Sequence, residues 1–246
     1  MVSPVIRSGS AGASPSRFGA KSATIVDHPN RRSTIPKDHT MPVTLVRCWV
    51  LISLLASLSL AASAAESPLS VWPDLAPGET SRETGTDLPR NPKEDPPITR
   101  VVNVRRPTID VFLPEQPNGT AILVLPGGGF GKIVPDMEGS EAAPDLNKLG
   151  IAVFVLRYRT NEAITPGEPP WKRPLQDAQR SLRLIRSRAD EWRIDPQRVG
   201  VLGFSAGGQV ASILHTEDEP AYESLDAIDQ ESCRPDFSLL IYTWRV

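Results

Sequence analysis

Gly203-Phe204-Ser205-Ala206-Gly207-Gly208 forms a G-x-S-x-G pattern. That pattern places a serine on a strained strand-to-helix turn, with its hydroxyl lifted clear of a sheet as a nucleophile. Its context fits: Arg198 to Phe204 (RVGVLGF) is a short apolar run that reads as a buried strand, and Ala206 to His215 (AGGQVASILH) reads as a helix. Gly203 and Gly207 let strand and helix cross without Cβ clashes. A second glycine motif, PGGGFG at 126–131, ends another apolar run, TAILVL at 120–125. Glycines there present bare N–H donors to a developing oxyanion, and the Ala206 N–H at the helix start is the complementary donor. A phosphate-binding loop would want Ser or Thr after a lysine, but Lys132 is followed by Ile133.

Ser205 needs a base, and the chain has three histidines: His28, His39 and His215. The first two precede the expected mature chain. His215 lies ten residues along the helix, about 15 Å away at 1.5 Å rise per residue, so it reads as a helix-end residue. The acids of 217–231, Asp226 and Asp229 among them, read as a solvated surface.

The elements that position these groups begin after an N-terminal region of a different kind. Residues 1–40 are rich in Ser, Pro, Arg and Gly and read as a disordered or mis-assigned extension, with Met41 a candidate initiator. Residues 41–64 read as a signal peptide: Arg47, the apolar Cys48–Leu60, then the cleavage site Ala62-Ser63-Ala64. An apolar run of about thirteen residues is too short to span roughly 30 Å of hydrocarbon. The expectation is a secreted or periplasmic protein without a membrane segment once the signal is cleaved. A net charge of −2 gives no footprint for nucleic acid. Cys233 is then the lone mature cysteine, in a polar loop, and no Cys/His cluster has metal-ligand spacing, so neither metal nor cofactor is expected.

Residues 65–97 read as an irregular leader, and 98–246 as the domain. Ile98–Val104 and Thr108–Leu113 are predicted to pair as antiparallel strands. A helix is predicted over 140–149, starting late because of Pro144, then a strand over 151–157. The strongest helix carries Leu175, Ala178, Leu182, Ile185, Ala189 and Trp192 as one stripe. Arg180, Arg183, Arg186 and Arg188 on its other faces read as a solvated surface paired with carboxylates. A last strand covers 236–242. Strand–helix alternation from residue 120 predicts an α/β fold with a mostly parallel sheet and helices on both faces.

The stretch DAQRSLRLIRSRADEWRIDPQRVGVLGFSAGG (177–208), with WPDLAPGE (72–79), PGGGFG and LRYR (156–159), closely resembles secreted bacterial esterases of the acetylxylan esterase and feruloyl esterase-like (BD-FAE-like) group. The resemblance covers nearly all of 71–242. It implies an α/β-hydrolase that deacylates plant polysaccharides with a Ser-Asp-His triad. It maps Ser205 to the nucleophile and Gly128, Gly129 and Ala206 to the oxyanion hole. Pro126 stands where related lipases carry histidine. Family members continue past Ile241-Tyr242 with further strand–helix units bearing the acid and histidine, whereas this chain reads Thr243-Trp244-Arg245-Val246. The expectation is a serine esterase for xylan-type acyl esters whose last strands are missing, inactive or weak because the triad Asp and His are absent. Its partner is a polysaccharide or small ester. The alternatives are a non-catalytic carbohydrate-binding pseudo-enzyme or gene fragment and, after those, an oligopeptidase-type serine peptidase.

Overall fold

The computed structural model describes residues 68–163, 165–217 and 219–244. The 1–40 stretch and the 41–64 segment read as a signal peptide lie outside the described residues. The described chain begins with β1 (Leu69–Ser70), β2 (Thr84–Asp87), β3 (Val101–Val104) and β4 (Thr108–Phe112). Strand and helix then alternate as β5 (Ala121–Leu125), α1 (Ala143–Lys148), β6 (Ala152–Arg157), α2 (Lys172–Ser187) and the single turn α3 (Ala189–Trp192). The series closes with β7 (Val199–Phe204), α4 (Ala206–Thr216) and β8 (Ser238–Ile241).

Six strands form one sheet in the order β1-β4-β6-β5-β7-β8. From β6 to β8 the neighbours run parallel, while β4 is antiparallel to β6 and β1 to β4. Every residue of β5 is buried, as a strand covered on both faces requires. Its side chains alternate between two layers. Ala121, Leu123 and Leu125 join the core under α2 and α4, and Ile122 and Val124 pack on the face that α1 covers with Ala143 and Leu146. Pro144 sits in the first turn of α1, where its missing N–H has no intrahelical partner to lose.

Two expectations are corrected. The segments 98–104 and 108–113 do not pair with each other: β3 pairs with β2, and β4 enters the main sheet. Joining the edge of β6 buries Ile109 completely, which a hairpin outside the sheet would not do. The arginines of α2 do meet carboxylates, but the face is buried. Arg180, Arg183 and Arg186 are each less than 8% exposed, because residues 219–236 fold across them. Arg180 bonds Asp226 at 2.7 Å and Asp229 at 2.8 Å. Arg183 reaches the Tyr222 hydroxyl at 2.8 Å, and Arg186 bonds Asp236 at 3.0 Å plus three backbone carbonyls. Asp229 is therefore a core residue and not surface, and Cys233 is likewise buried.

The same helix face ties in the N-terminal segment. Trp72 is buried and donates its indole N–H to Asp177 at 2.9 Å. Asp177, fully buried, also accepts from the Arg159 guanidinium at 3.0 Å and from the Arg159 backbone N–H at 2.9 Å.

Burial pulls the Asp229 carboxyl up, but hydrogen bonds from Tyr222, the Leu225 N–H and Arg180 more than reverse this and hold it at about 2. A carboxyl held below its unfolded value stabilises the fold above about pH 4, and that contribution drains away as pH falls toward 2. Denaturant unfolding is expected to show this loss, with a weaker pH dependence in Asp229→Asn. Arg180→Ala removes one of several partners of the buried Asp229 and leaves the partly exposed Asp226 without its guanidinium, and should cost about 1–3 kcal/mol near neutral pH. Along β8, Leu239, Leu240 and Ile241 are exposed on an outer strand, a template for intermolecular pairing. Light scattering should therefore show concentration-dependent association that Leu240→Lys reduces.

Candidate functional site

Ser205 sits where β7 meets α4, with φ 48° and ψ −113°. A non-glycine residue holds such a conformation only when its surroundings over-determine it. They do so here: the Ser205 N–H donates to the Ile241 carbonyl at 3.1 Å, and its own carbonyl accepts from Gln209 at 3.2 Å and Trp244 at 3.1 Å. Although Ser205 is the N-cap of α4, its side chain makes no capping hydrogen bond. Among the described residues the hydroxyl is not drawn into capping the helix.

The flanking glycines are demanded by contact. A Cβ on Gly203 would lie 2.5 Å from the Gly207 carbonyl oxygen, and one on Gly207 would lie 2.1 Å from the Leu125 carbonyl oxygen at the end of β5. The elbow therefore packs directly on the strand that launches the second glycine motif.

That motif is anchored along its length. The Tyr158 hydroxyl donates to the Pro126 carbonyl at 2.5 Å. Burial, and then the negative charge of Glu138, push this phenol well above its ordinary range, so it stays a donor. The Gly127 N–H donates to Glu138 Oε2 at 2.6 Å, and its carbonyl accepts from Val134 at 3.1 Å. Further on, Phe130 O accepts from the Asn161 N–H, and Val101 and Ile133 exchange a pair of backbone bonds. Between these anchors Gly128 (φ 134°) and Gly129 (φ 66°) adopt backbone that side chains resist. Among the described residues, no acceptor takes the N–H of Gly128, Gly129 or Ala206.

The structure thus brings Ser205, the glycine loop and the α4 N-terminus together: the position a Gly127 Cβ would take is 3.0 Å from Ser205 Cβ. His215 is not part of this group. It lies at the far end of α4, with Nδ1 3.0 Å from the Ser238 hydroxyl, and it is the one histidine among the described residues. Beside the loop opens a cavity of about 250 Å³ lined by Gly129, Phe130, Pro170, Trp171, Gln209 and Trp244. Sequence reasoning missed Glu138 and this aromatic cavity. Gln209 was findable, one helical turn beyond Ser205; Glu138 carried no signal, being one acid in an irregular loop.

Comparison with known proteins agrees with this geometry. The BD-FAE family profile matches residues 109–236. An acetylxylan esterase from Xylanibacter ruminicola is 40% identical over 131 residues, which are 53% of this chain and 24% of the relative. An endo-1,4-beta-xylanase B from Butyrivibrio fibrisolvens is 36% identical over 121 residues, 49% of this chain and 19% of the relative. The chain thus spans a quarter or less of the length of these curated relatives. Among solved structures, an acetyl ester-xyloside bifunctional hydrolase from Caldicellulosiruptor lactoaceticus superposes with a TM-score of 0.52 at 32% identity, covering 72% of this chain and 57% of that one. With the mostly parallel sheet and the serine elbow already in place, these matches identify the chain as a member of the BD-FAE family of α/β-hydrolase-fold proteins.

Proposed function

We propose that this chain belongs to a serine esterase for acyl esters, acetyl or feruloyl, of plant polysaccharides such as xylan, with Ser205 as its nucleophile. The observation that supports it best is Ser205 itself, held at φ 48° with an uncommitted hydroxyl beside three backbone N–H groups that have no protein acceptor among the described residues. The names of the relatives, an acetylxylan esterase and a xylanase, support the substrate class. In this reading Ser205 Oγ attacks the ester carbonyl carbon, Gly128, Gly129 and Ala206 hydrogen-bond the resulting oxyanion, the alcohol departs, and water releases the acid. Each oxyanion donor is worth about 3 kcal/mol in the transition state. Export rests on the 41–64 segment, and a polysaccharide substrate outside the cytoplasm is consistent with it.

Catalytic power depends on a base for Ser205. The described histidine, His215, is turned to Ser238 at the other end of α4, so within these residues no imidazole can take the Ser205 proton. With no imidazole at Ser205 among the described residues, we infer slow, Ser205-dependent cleavage by them, since a serine hydrolase acting without its triad partners retains only about 10³–10⁴-fold acceleration over water. The same observation favours, as a second reading, a carbohydrate-binding protein that does no chemistry.

With p-nitrophenyl acetate, weak nitrophenolate release that disappears in Ser205→Ala is expected. Fast turnover lost in that variant would overturn the base-poor reading, and release indifferent to Ser205→Ala would overturn the esterase reading. Retention on insoluble xylan with no Ser205-dependent cleavage would favour the binding protein.

A further inference from the structure

Glu138 lies on the irregular segment between the glycine loop and α1, and its two carboxylate oxygens have different partners. Oε2 accepts from the Gly127 N–H at 2.6 Å, and Oε1 accepts from the Tyr242 hydroxyl at 2.6 Å. Those partners come from two different strands. Gly127 follows β5 and Tyr242 follows β8, and in the sheet β5 and β8 are the two neighbours of β7, the strand that delivers Ser205. At a strand spacing of about 4.8 Å, β5 and β8 lie about 10 Å apart. One carboxylate therefore bridges the carboxyl end of the nucleophile strand from one side to the other. A Cβ on Gly127 would sit 2.4 Å from Glu138 Oε2 and 3.0 Å from Ser205 Cβ, so glycine at 127 is what allows the carboxylate and the serine to crowd the same point.

We propose that Glu138 is a positioning residue for the esterase site: it fixes the glycine loop, and hence the Gly128 and Gly129 N–H groups, at the distance from Ser205 that oxyanion capture needs. This rests on the esterase reading above. The Gly127 N–H is spent on Glu138, which leaves the next two donors in the loop to face substrate. Oxyanion donors act only within about 2.7–3.1 Å of the developing charge, and a misplacement of about 1 Å costs on the order of 10²-fold in rate. The loop is already held at Pro126, at the Gly127 carbonyl and at Phe130, but the segment between those anchors is two glycines with no Cβ to restrain them. The clamp to Tyr242 adds a restraint from the β8 side, at the residue next to Gly128. The Tyr242 side chain is largely exposed, but partial desolvation and then its bond to Glu138 raise its hydroxyl above its ordinary range and keep it a donor. The role is one of geometry, since Glu138 is not needed to touch the substrate.

The test is single-turnover acetylation of the 246-residue chain by p-nitrophenyl acetate, in which Oγ bonds the carbonyl carbon, nitrophenolate leaves and the hydroxyl proton passes to water. Modification is mapped by mass spectrometry, and amide hydrogen exchange is measured alongside. Glu138→Ala should slow acetylation of Ser205 about 10–100-fold at saturating ester, with half-saturation little changed, and should speed exchange only within 126–131. Glu138→Gln should stay within a few-fold of the unaltered chain, because its amide can still accept from Gly127 and can donate to the Tyr242 oxygen. Unchanged acetylation in Glu138→Ala, or exchange that rises equally across the sheet, would overturn the proposal. Acetylation that maps away from Ser205 in the unaltered chain would instead overturn the esterase reading. Exchange at 126–131 in Glu138→Ala would still decide whether Glu138 holds the loop.

Discussion

Everything at the site depends on one close approach, that of the α4 backbone at Gly207 to the carbonyl of Leu125 at the end of β5. With only 2.1 Å between that oxygen and the place a Cβ would occupy, the first turn of the nucleophile helix lies directly on the neighbouring strand. Ser205, at the turn from β7 into α4, has positive φ beside that contact. The contact also brings the loop after β5 against the serine. Strain in the elbow is held by backbone bonds with Ile241, Gln209 and Trp244, so β8 and the segment after it hold Ser205 in place as well as forming the sheet edge.

A second constraint holds the layer beneath. Helix α2 buries an apolar stripe on the sheet and a polar seam under residues 219–236. Buried charges are tolerable only when fully paired, and here each guanidinium is divided among several acceptors. Asp229 answers Arg180, Arg183 and Tyr222 at once, and Asp177 answers Trp72 and Arg159. Because the partners come from residues 72, 159, 222 and 229, the seam joins segments far apart in the chain. It ties those segments to α2, whose Leu182 and Ile185 share one core with residues of β5 and β7.

Much of the parallel sheet was legible in the sequence because its signals are local. Continuous apolar runs such as AILVL and VGVLGF each fit within one element, while the stripe from Leu175 to Trp192 runs through α2 into the turn α3 and the glycines around Ser205 lie in the adjoining β7 and α4. The pairing of β3 with β2, and of β4 with β6, was not legible. Strand partners are chosen by which edge buries more apolar surface, and the short segments near residues 84 and 69 carried too few β-formers to announce themselves. The arginine face of α2 was misread as solvated for a related reason: helical periodicity shows which residues share a face but not which loop returns to cover it.

By itself the sequence determined the chemistry on offer: a serine in an elbow, a glycine loop of N–H donors, and His215 too far along its helix to serve as base. Tertiary structure alone decided how those donors are spent. It committed the Gly127 N–H to Glu138, left those of Gly128 and Gly129 without a protein acceptor among the described residues, and drew Tyr242 across β7 to meet the same carboxylate. The physical reason is that a hydrogen bond between residues 138 and 242 is fixed by where strands lie in the sheet, and separations of that length leave no pattern in the intervening chain.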